Sequence, residues 1–264
     1  MATGAPDGDT RADGNRRLGV RGVRKVYGSK EVLRGVDLDV QAGEVCFLLG
    51  VNGAGKSTLL GCMGDTVAID GGAIRIGASQ VDLASQPDAA LQPLVLLPQK
   101  PPLAPLLSPH EHLEAMIALR SLDLSARDRF GAAAAALGIA GFVDAPCRTL
   151  SGGTQQKVGL SLALAAAPEV LLLDEPWTGL DILSARALRR LLEAERSRGA
   201  ALLVASHLPE TAAQLADRCV VLTGGRIVAT LDSSAMRDIA GDPARFEAAV
   251  VEAMAGTGVV DEGQ

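Results

Sequence analysis

The feature that most constrains this chain is an eight-residue loop, GVNGAGKS from Gly50 to Ser57, set between an apolar run and a helical one. EVCFLLG (Glu44 to Gly50) reads as a buried strand, and KSTLLGCMG after the loop has helical character. The loop matches GxxxxGK[ST] in the strand-loop-helix context that gives that spacing its meaning. Its glycines let backbone N–H groups curl round a β-phosphate at the positive end of a helix dipole. Lys56 then supplies a point charge to the β- and γ-phosphates, and Ser57 offers a hydroxyl to Mg²⁺. The bland alternative is a strand-turn-helix joint with a solvated lysine, which leaves the agreement of both flanks unexplained. The loop says NTP and nothing more.

A second constraint is VLLLDEP, where Asp174 and Glu175 close an apolar run. In an α/β sheet that end of a strand opens on the ligand crevice. Asp174 would hold Mg²⁺ through its water shell, and Glu175 would orient and polarise an attacking water. A third is LSGGTQQ (Leu150 to Gln156), a glycine pair ahead of a helix with Val158, Leu160, Leu162 and Leu164 on its apolar face. That helix start presents free N–H groups and about half a unit of positive charge. Taken alone, Ser151 reads first as an ordinary N-cap. Yet one γ-phosphate cannot use two helix starts this far apart without a long fold-back.

Around these motifs the chain alternates. Runs between Leu18 and Val40 read as antiparallel strands, and GGAIRIG as a hairpin piece. From Ser108 to Ala140 the spacing predicts helices, with Pro109 in a first turn and Ser125 as an N-cap. VLLLD and ALLVAS predict buried strands, Ile182 to Arg198 a helix, and CVVLTGGRIVAT a hairpin at Gly224 and Gly225. Such alternation implies a parallel sheet covered on both faces. With 264 residues, 48% hydrophobic but only 2% aromatic, the core must be aliphatic. The net charge of -6 argues against broad binding to nucleic acid. Four scattered cysteines without ligand spacing suggest reduced, buried thiols. No secretory signal is evident, and no run reaches the roughly 18–20 apolar residues that cross a bilayer. A membrane role is therefore expected to run through a partner.

Together, in this order, the motifs resemble those of the nucleotide-binding subunits of ABC transporters, from about Leu18 to Thr230. The resemblance implies a P-loop NTPase (RecA-like) α/β core with a mixed sheet, an N-terminal antiparallel β-subdomain and an inserted α-helical subdomain. Residues 1–17 would be a disordered arm, 18–232 the ATPase domain with its helical insert and signature at about 100–155, and 233–264 a helical tail. ATP and Mg²⁺ are the implied cofactors. Tyr27 resembles the aromatic residue that stacks on adenine. Asn52, Gly53, Gly55, Lys56, Ser57 and Thr58 fall in the Walker A loop. Gln99 is similar to the Q-loop glutamine that meets Mg²⁺ and the membrane partner. Ser151, Gly152 and Gly153 form the family signature, Asp174 and Glu175 end Walker B, Asp181 closes the D-loop, and His207 resembles the switch histidine. The implied assembly is a head-to-tail dimer with a second ATPase subunit, the same or homologous, in which each signature caps the partner's ATP. A separate transmembrane permease would carry the cargo, with the ATPase on the cytoplasmic face of the cell membrane and no nucleic acid involved.

Departures from the family pattern are few. Val51 stands where proline is common, Thr154 where glutamine is common, and Trp177 where a small polar residue is usual, a candidate for the dimer seam. The short cassette resembles bacterial exporter types that work with ABC-2-like permeases. Two rivals belong to other classes. A soluble ABC-type ATPase acting on nucleic acid or ribosomes would be expected to carry tandem cassettes, coiled-coil inserts or zinc modules. A non-hydrolysing regulatory binder would be expected to lose Glu175 or His207. His110 and His112 flank Glu111 like metal ligands, but without a third ligand nearby they read as an exposed helix start. Tyr27, without the resemblance, reads equally as core. The prolines between 98 and 109 stiffen a docking surface or fill a loop.

Overall fold

A computed structural model describes residues 13–239 and 242–255. β1 (Arg16–Tyr27) and β2 (Lys30–Gln41) pair antiparallel around the turn at Gly28 and Ser29. Leu18, Val20, Leu38 and Val40 are buried from the two strands while Arg21 and Asp37 are exposed, the alternation of a one-sided sheet. After β3 (Val45–Leu49) and α1 (Lys56–Met63), β4 (Gly71–Ile76) and β5 (Val81–Asp82) complete a four-stranded sheet in the order β2-β1-β4-β5. The expected arm over 1–17 lies largely outside the described residues, and β1 begins at Arg16 rather than Leu18.

The larger sheet carries the loop Gly50–Ser57 at the end of β3. α2 (Pro87–Leu91) leads to β6 (Leu94–Leu97), and α3 (Pro109–Arg120), α4 (Ser125–Ala136) and α5 (Gly152–Ala165) follow it. Then come β7 (Val170–Asp174), α6 (Ile182–Ser197), β8 (Ala201–Ser206), α7 (Pro209–Leu215), β9 (Arg218–Thr223), β10 (Arg226–Leu231), α8 (Ser233–Ile239) and α9 (Pro243–Ala255). Six strands line up as β10-β9-β3-β8-β7-β6, parallel throughout except for β10 at the edge. Every residue of β3, β7 and β8 is buried, because both faces of the sheet are covered. Leu172 faces the cluster shared with α1 and the smaller sheet, while Leu173 faces the cluster with α5, α6 and α9. Truncating either to alanine is expected to cost roughly 2–5 kcal/mol.

A third cluster, with Leu113, Phe130, Cys147, Leu150 and Val158 at its centre, knits α3, α4 and the start of α5. Pro109 does begin α3, capped by Ser108, whose side chain accepts from Glu111 N–H while Glu111 accepts from Ser108 N–H. Ser125 is not the N-cap of α4 but its first residue, and the Asp123 carboxylate two positions earlier accepts its N–H at 2.8 Å. All four cysteines are buried and free. Burial pushes the Cys46 thiol up to about 12, Arg218 opposing it in part. Among the described residues no helix is long and apolar enough to cross a membrane.

Candidate nucleotide site

The phosphate loop joins the C-terminal end of β3 to the start of α1, in the middle of the parallel sheet. Gly55 sits at φ +109° just before the helix, and a Cβ there would meet Leu33 Cδ2 at 3.0 Å and Val32 O at 3.2 Å. Only glycine satisfies both the backbone and the space. Lys56 is 6% exposed. Its Nζ donates to Gly50 O at 2.6 Å and Val51 O at 3.3 Å, and lies 4.0 Å from Glu175 Oε1. Burial lowers its pKa, with Glu175 and Asp174 opposing that shift. The ammonium is thus parked on carbonyls that a phosphate can outbid by charge.

Asp174 and Glu175 leave the tip of β7 in different directions. Asp174 takes a hydrogen bond from Ser57, but burial raises its carboxyl above the ordinary carboxylate range and the neighbouring Glu175 adds to the shift. Its Oδ1 is buried with no hydrogen-bond partner among the described residues. A buried carboxylate oxygen without a partner beside a serine hydroxyl is an oxygen donor set that suits Mg²⁺. Glu175 adopts φ +47°, a conformation that a non-glycine residue takes at a steric cost. The turn is held by Glu175 N–H to Ala205 O at 3.0 Å, and it aims the carboxylate at His207, whose Nδ1 lies 2.9 Å from Oε1. His207 follows β8 directly, so adjacent strand ends place the two side chains together.

A cavity of about 260 Å³ is lined by Asn52, Gly53, Gly55, Lys56, Ser57, Thr58, Gln99, Glu175 and His207, and Asp174 and Asp181 are not among its lining residues. Val32 of β2 also lines it, a wall that no sequence spacing marks. Tyr27 is not among the lining residues. It is 48% exposed at the end of β1, with Lys25 Nζ 5.3 Å from the centre of its ring. Ser151, Gly152 and Gly153 are not in the cavity wall either. Ser151 and Gly152 are exposed at the start of α5. Ser151 does cap the helix, accepting Thr154 N–H at 3.2 Å, and its Oγ lies 2.9 Å from Thr154 Oγ1. Asp181 caps α6 through Ser184 N–H at 2.9 Å. Trp177 packs inward: its ring stacks on Phe47 with centroids 5.9 Å apart. An aromatic there fills the aliphatic core beside β3.

The two paired histidines have ordinary jobs. His110 Nδ1 sits 2.9 Å from Asp144 Oδ1, while His112 Nδ1 contacts Ser108 O at 2.8 Å and its Nε2 accepts Ala104 N–H at 2.8 Å. The second histidine therefore pins the proline-rich segment, which Cys147 and Arg148 also hold by donating their N–H groups to Leu107 O and Pro105 O.

A phosphate loop at the carboxyl end of a parallel sheet, with a buried lysine, an acidic strand tip and a strand-end histidine, defines a P-loop nucleotide-binding domain. The ABC transporter family model matches residues 33–178, more than half the sequence, and the chain belongs to that family. It is 37% identical over 215 residues to the hemin import ATP-binding protein HmuV of Streptomyces coelicolor, covering 79% of this chain and 75% of that one. It is 35% identical over 212 residues to the sn-glycerol-3-phosphate import ATP-binding protein UgpC 1 of Rhizobium johnstonii, covering 80% of this chain but 57% of that one. The solved structure of an ATP-binding subunit of an ABC transporter superposes with a TM-score of 0.80 at 27% identity, over 89% of this chain and 99% of that one.

Proposed function

We propose that this chain is the ATPase subunit of a transporter: it binds Mg·ATP in the loop cavity, closes head-to-tail on a second ATPase subunit, and hydrolyses the γ-phosphate bond. The observation that carries this is the split between the two anion cradles. One lines a cavity with Glu175 and His207, and the other is exposed at the start of α5. A site that needs a second cradle and does not have it in its own wall is completed by another copy.

In this reading Lys56 leaves Gly50 O for the β- and γ-phosphates, which frees Glu175 to hold a water in line with the γ-phosphorus. His207 keeps the Glu175 carboxylate aimed, and donates toward the γ-phosphate as the cavity closes. Ser57, Asp174 and Gln99 would hold Mg²⁺, whose charge offsets that of the phosphates. Phosphoryl transfer of this kind rests on positioning and electrostatics rather than a covalent enzyme intermediate. Loss of the γ-phosphate removes what bridges the two copies, so they part. The motion would pass through Gln99 and the helices α3–α5 to a separate membrane-spanning permease, with the ATPase on the cytoplasmic face. The relatives named above are import proteins by name, and export, drawn from the short cassette, has no support among them.

The test is Glu175→Gln. It should bind ATP, lose turnover by about 10²- to 10⁴-fold, and elute as a dimer when ATP is present. A variant that stays monomeric at saturating ATP sinks the two-copy site.

A further inference from the structure

The last residue of the cradle and two that follow it are committed to one neighbour. Gly153, Gln156 and Lys157 stand at i, i+3 and i+4 of α5 and so share a face. That face rests on the loop 175–181, which carries Glu175 at one end and Asp181 at the other. A Cβ at Gly153 would stand 2.6 Å from Gly179 O, so the helix and the loop touch backbone to backbone. Gln156 is buried and its Nε2 donates to Pro176 O at 3.4 Å. Lys157 Nζ lies 2.7 Å from Asp181 Oδ2, and its side chain is only 15% exposed. Asp181 also accepts from Ser184 N–H at 2.9 Å and from Ser184 Oγ at 2.8 Å, which fixes its carboxylate on α6. Ser151 and Gly152 precede this docked face and stay exposed.

We propose that Lys157 is a positioning residue whose ion pair with Asp181 fixes the cradle Ser151–Gly153 relative to the loop that carries Glu175. The inference rests on the two-copy reading and deepens it. The cradle would serve a phosphate held by the second copy, whereas Glu175 serves this chain's own. One rigid joint between them makes the two sites of a dimer close in register. Without the lysine, Gly153 and Gln156 still touch the loop, but only packing and one long neutral hydrogen bond resist sliding. An ion pair with a carboxylate already held by a serine sets a single offset.

The experiment measures ATP-dependent dimerisation in the Glu175→Gln background and steady-state hydrolysis in the otherwise native chain. Lys157→Met is expected to raise the chain concentration needed for the ATP dimer by about tenfold, the scale of coupling between directly contacting groups. It should lower kcat in proportion, with ATP affinity of the dilute single chain within about twofold of native. Lys157→Arg should recover most of both losses. Normal dimerisation and kcat in Lys157→Met overturns the proposal, as does equal impairment in Lys157→Arg. If Glu175→Gln alone fails to dimerise, the two-copy reading falls and this inference falls with it. If Glu175→Gln dimerises and Lys157→Met changes nothing, only the joint is refuted.

Discussion

Both cradles are glycine-rich helix starts, the glycines preceding α1 at the phosphate loop and opening α5 at the signature, yet their surroundings differ. At the phosphate loop Ala54, Gly55 and Lys56 are buried while Val51, Asn52, Gly53 and Ser57 are exposed, and α1 begins without a side-chain cap. At the signature Ser151 and Gly152 are exposed, and the Ser151 side chain already caps α5. Burial preorganises the first cradle. It strengthens every charge there, and it makes each unpaired group costly until phosphate arrives. The second stays in water, so its contribution waits for a surface that excludes the water. In the proposed two-copy reading, position in the fold, more than motif chemistry, separates a site that binds from a site that completes.

The sharpest way to break that contrast is to remove the charge of the buried cradle. Lys56→Ala should reduce hydrolysis by roughly 10²- to 10³-fold, the loss typical when one electrostatic stabiliser of a transition state is deleted. Binding of a fluorescent ATP analogue to the dilute chain should weaken as well, because the proposed role has Lys56 contact the phosphates in the ground state. Unchanged affinity would mean that the lysine parked on Gly50 O and Val51 O stays there with nucleotide bound.

The opposite pattern is expected at the exposed cradle. Ser151→Arg should lower turnover at least about tenfold by filling the anion approach. It should leave ATP affinity of the dilute chain unaltered, since Ser151 is absent from the cavity wall. Equilibrium titration below the dimerisation range, set beside phosphate release above it, separates the two. Weakened binding in the dilute chain would put Ser151 in its own copy's site and erase the comparison.

How much of this was legible in sequence depended on whether the signal was spacing or packing. The loop Gly50–Ser57 and the strand tip at Asp174 are written in local order, so they read directly. β6 (Leu94–Leu97) gave no such signal: four apolar residues between Pro93 and Pro98 are too few for a periodicity. The seven-residue α7 is short enough to escape for the same reason. Trp177 stands out in sequence only as a departure from a small polar residue, and its stacking on Phe47 is a matter of packing that no local pattern carries. Ser125 had the right type for a cap, and Asp123 two positions earlier took the N–H instead. Lys157 and Asp181 are far apart in order and meet only because α5 lies along the loop after β7. No single-sequence pattern carries that pairing.

The smallest effect tests the cost of preorganisation itself, at Asp174. Burial raises its carboxyl in the folded chain, so the folded state favours the protonated form. That stability is whole below the unfolded carboxyl's range and is lost as pH rises through the folded pKa. At neutral pH, without nucleotide or Mg²⁺, the charged Asp174 therefore destabilises the chain. Asp174→Asn keeps the shape and a partner for Ser57 but removes the charge. It should raise Tm by about 2–4 °C at pH 7, the shift that roughly 1 kcal/mol produces in a domain of this size. The gain should shrink as pH falls and the native side chain takes up its proton, and Mg²⁺-dependent hydrolysis should be lost throughout. Thermal melts of both chains from pH 7 downward, metal-free, decide it. A lower Tm for Asp174→Asn at pH 7 would mean that the carboxylate is already satisfied in the empty site, and that the buried cradle is not held ready at the expense of stability.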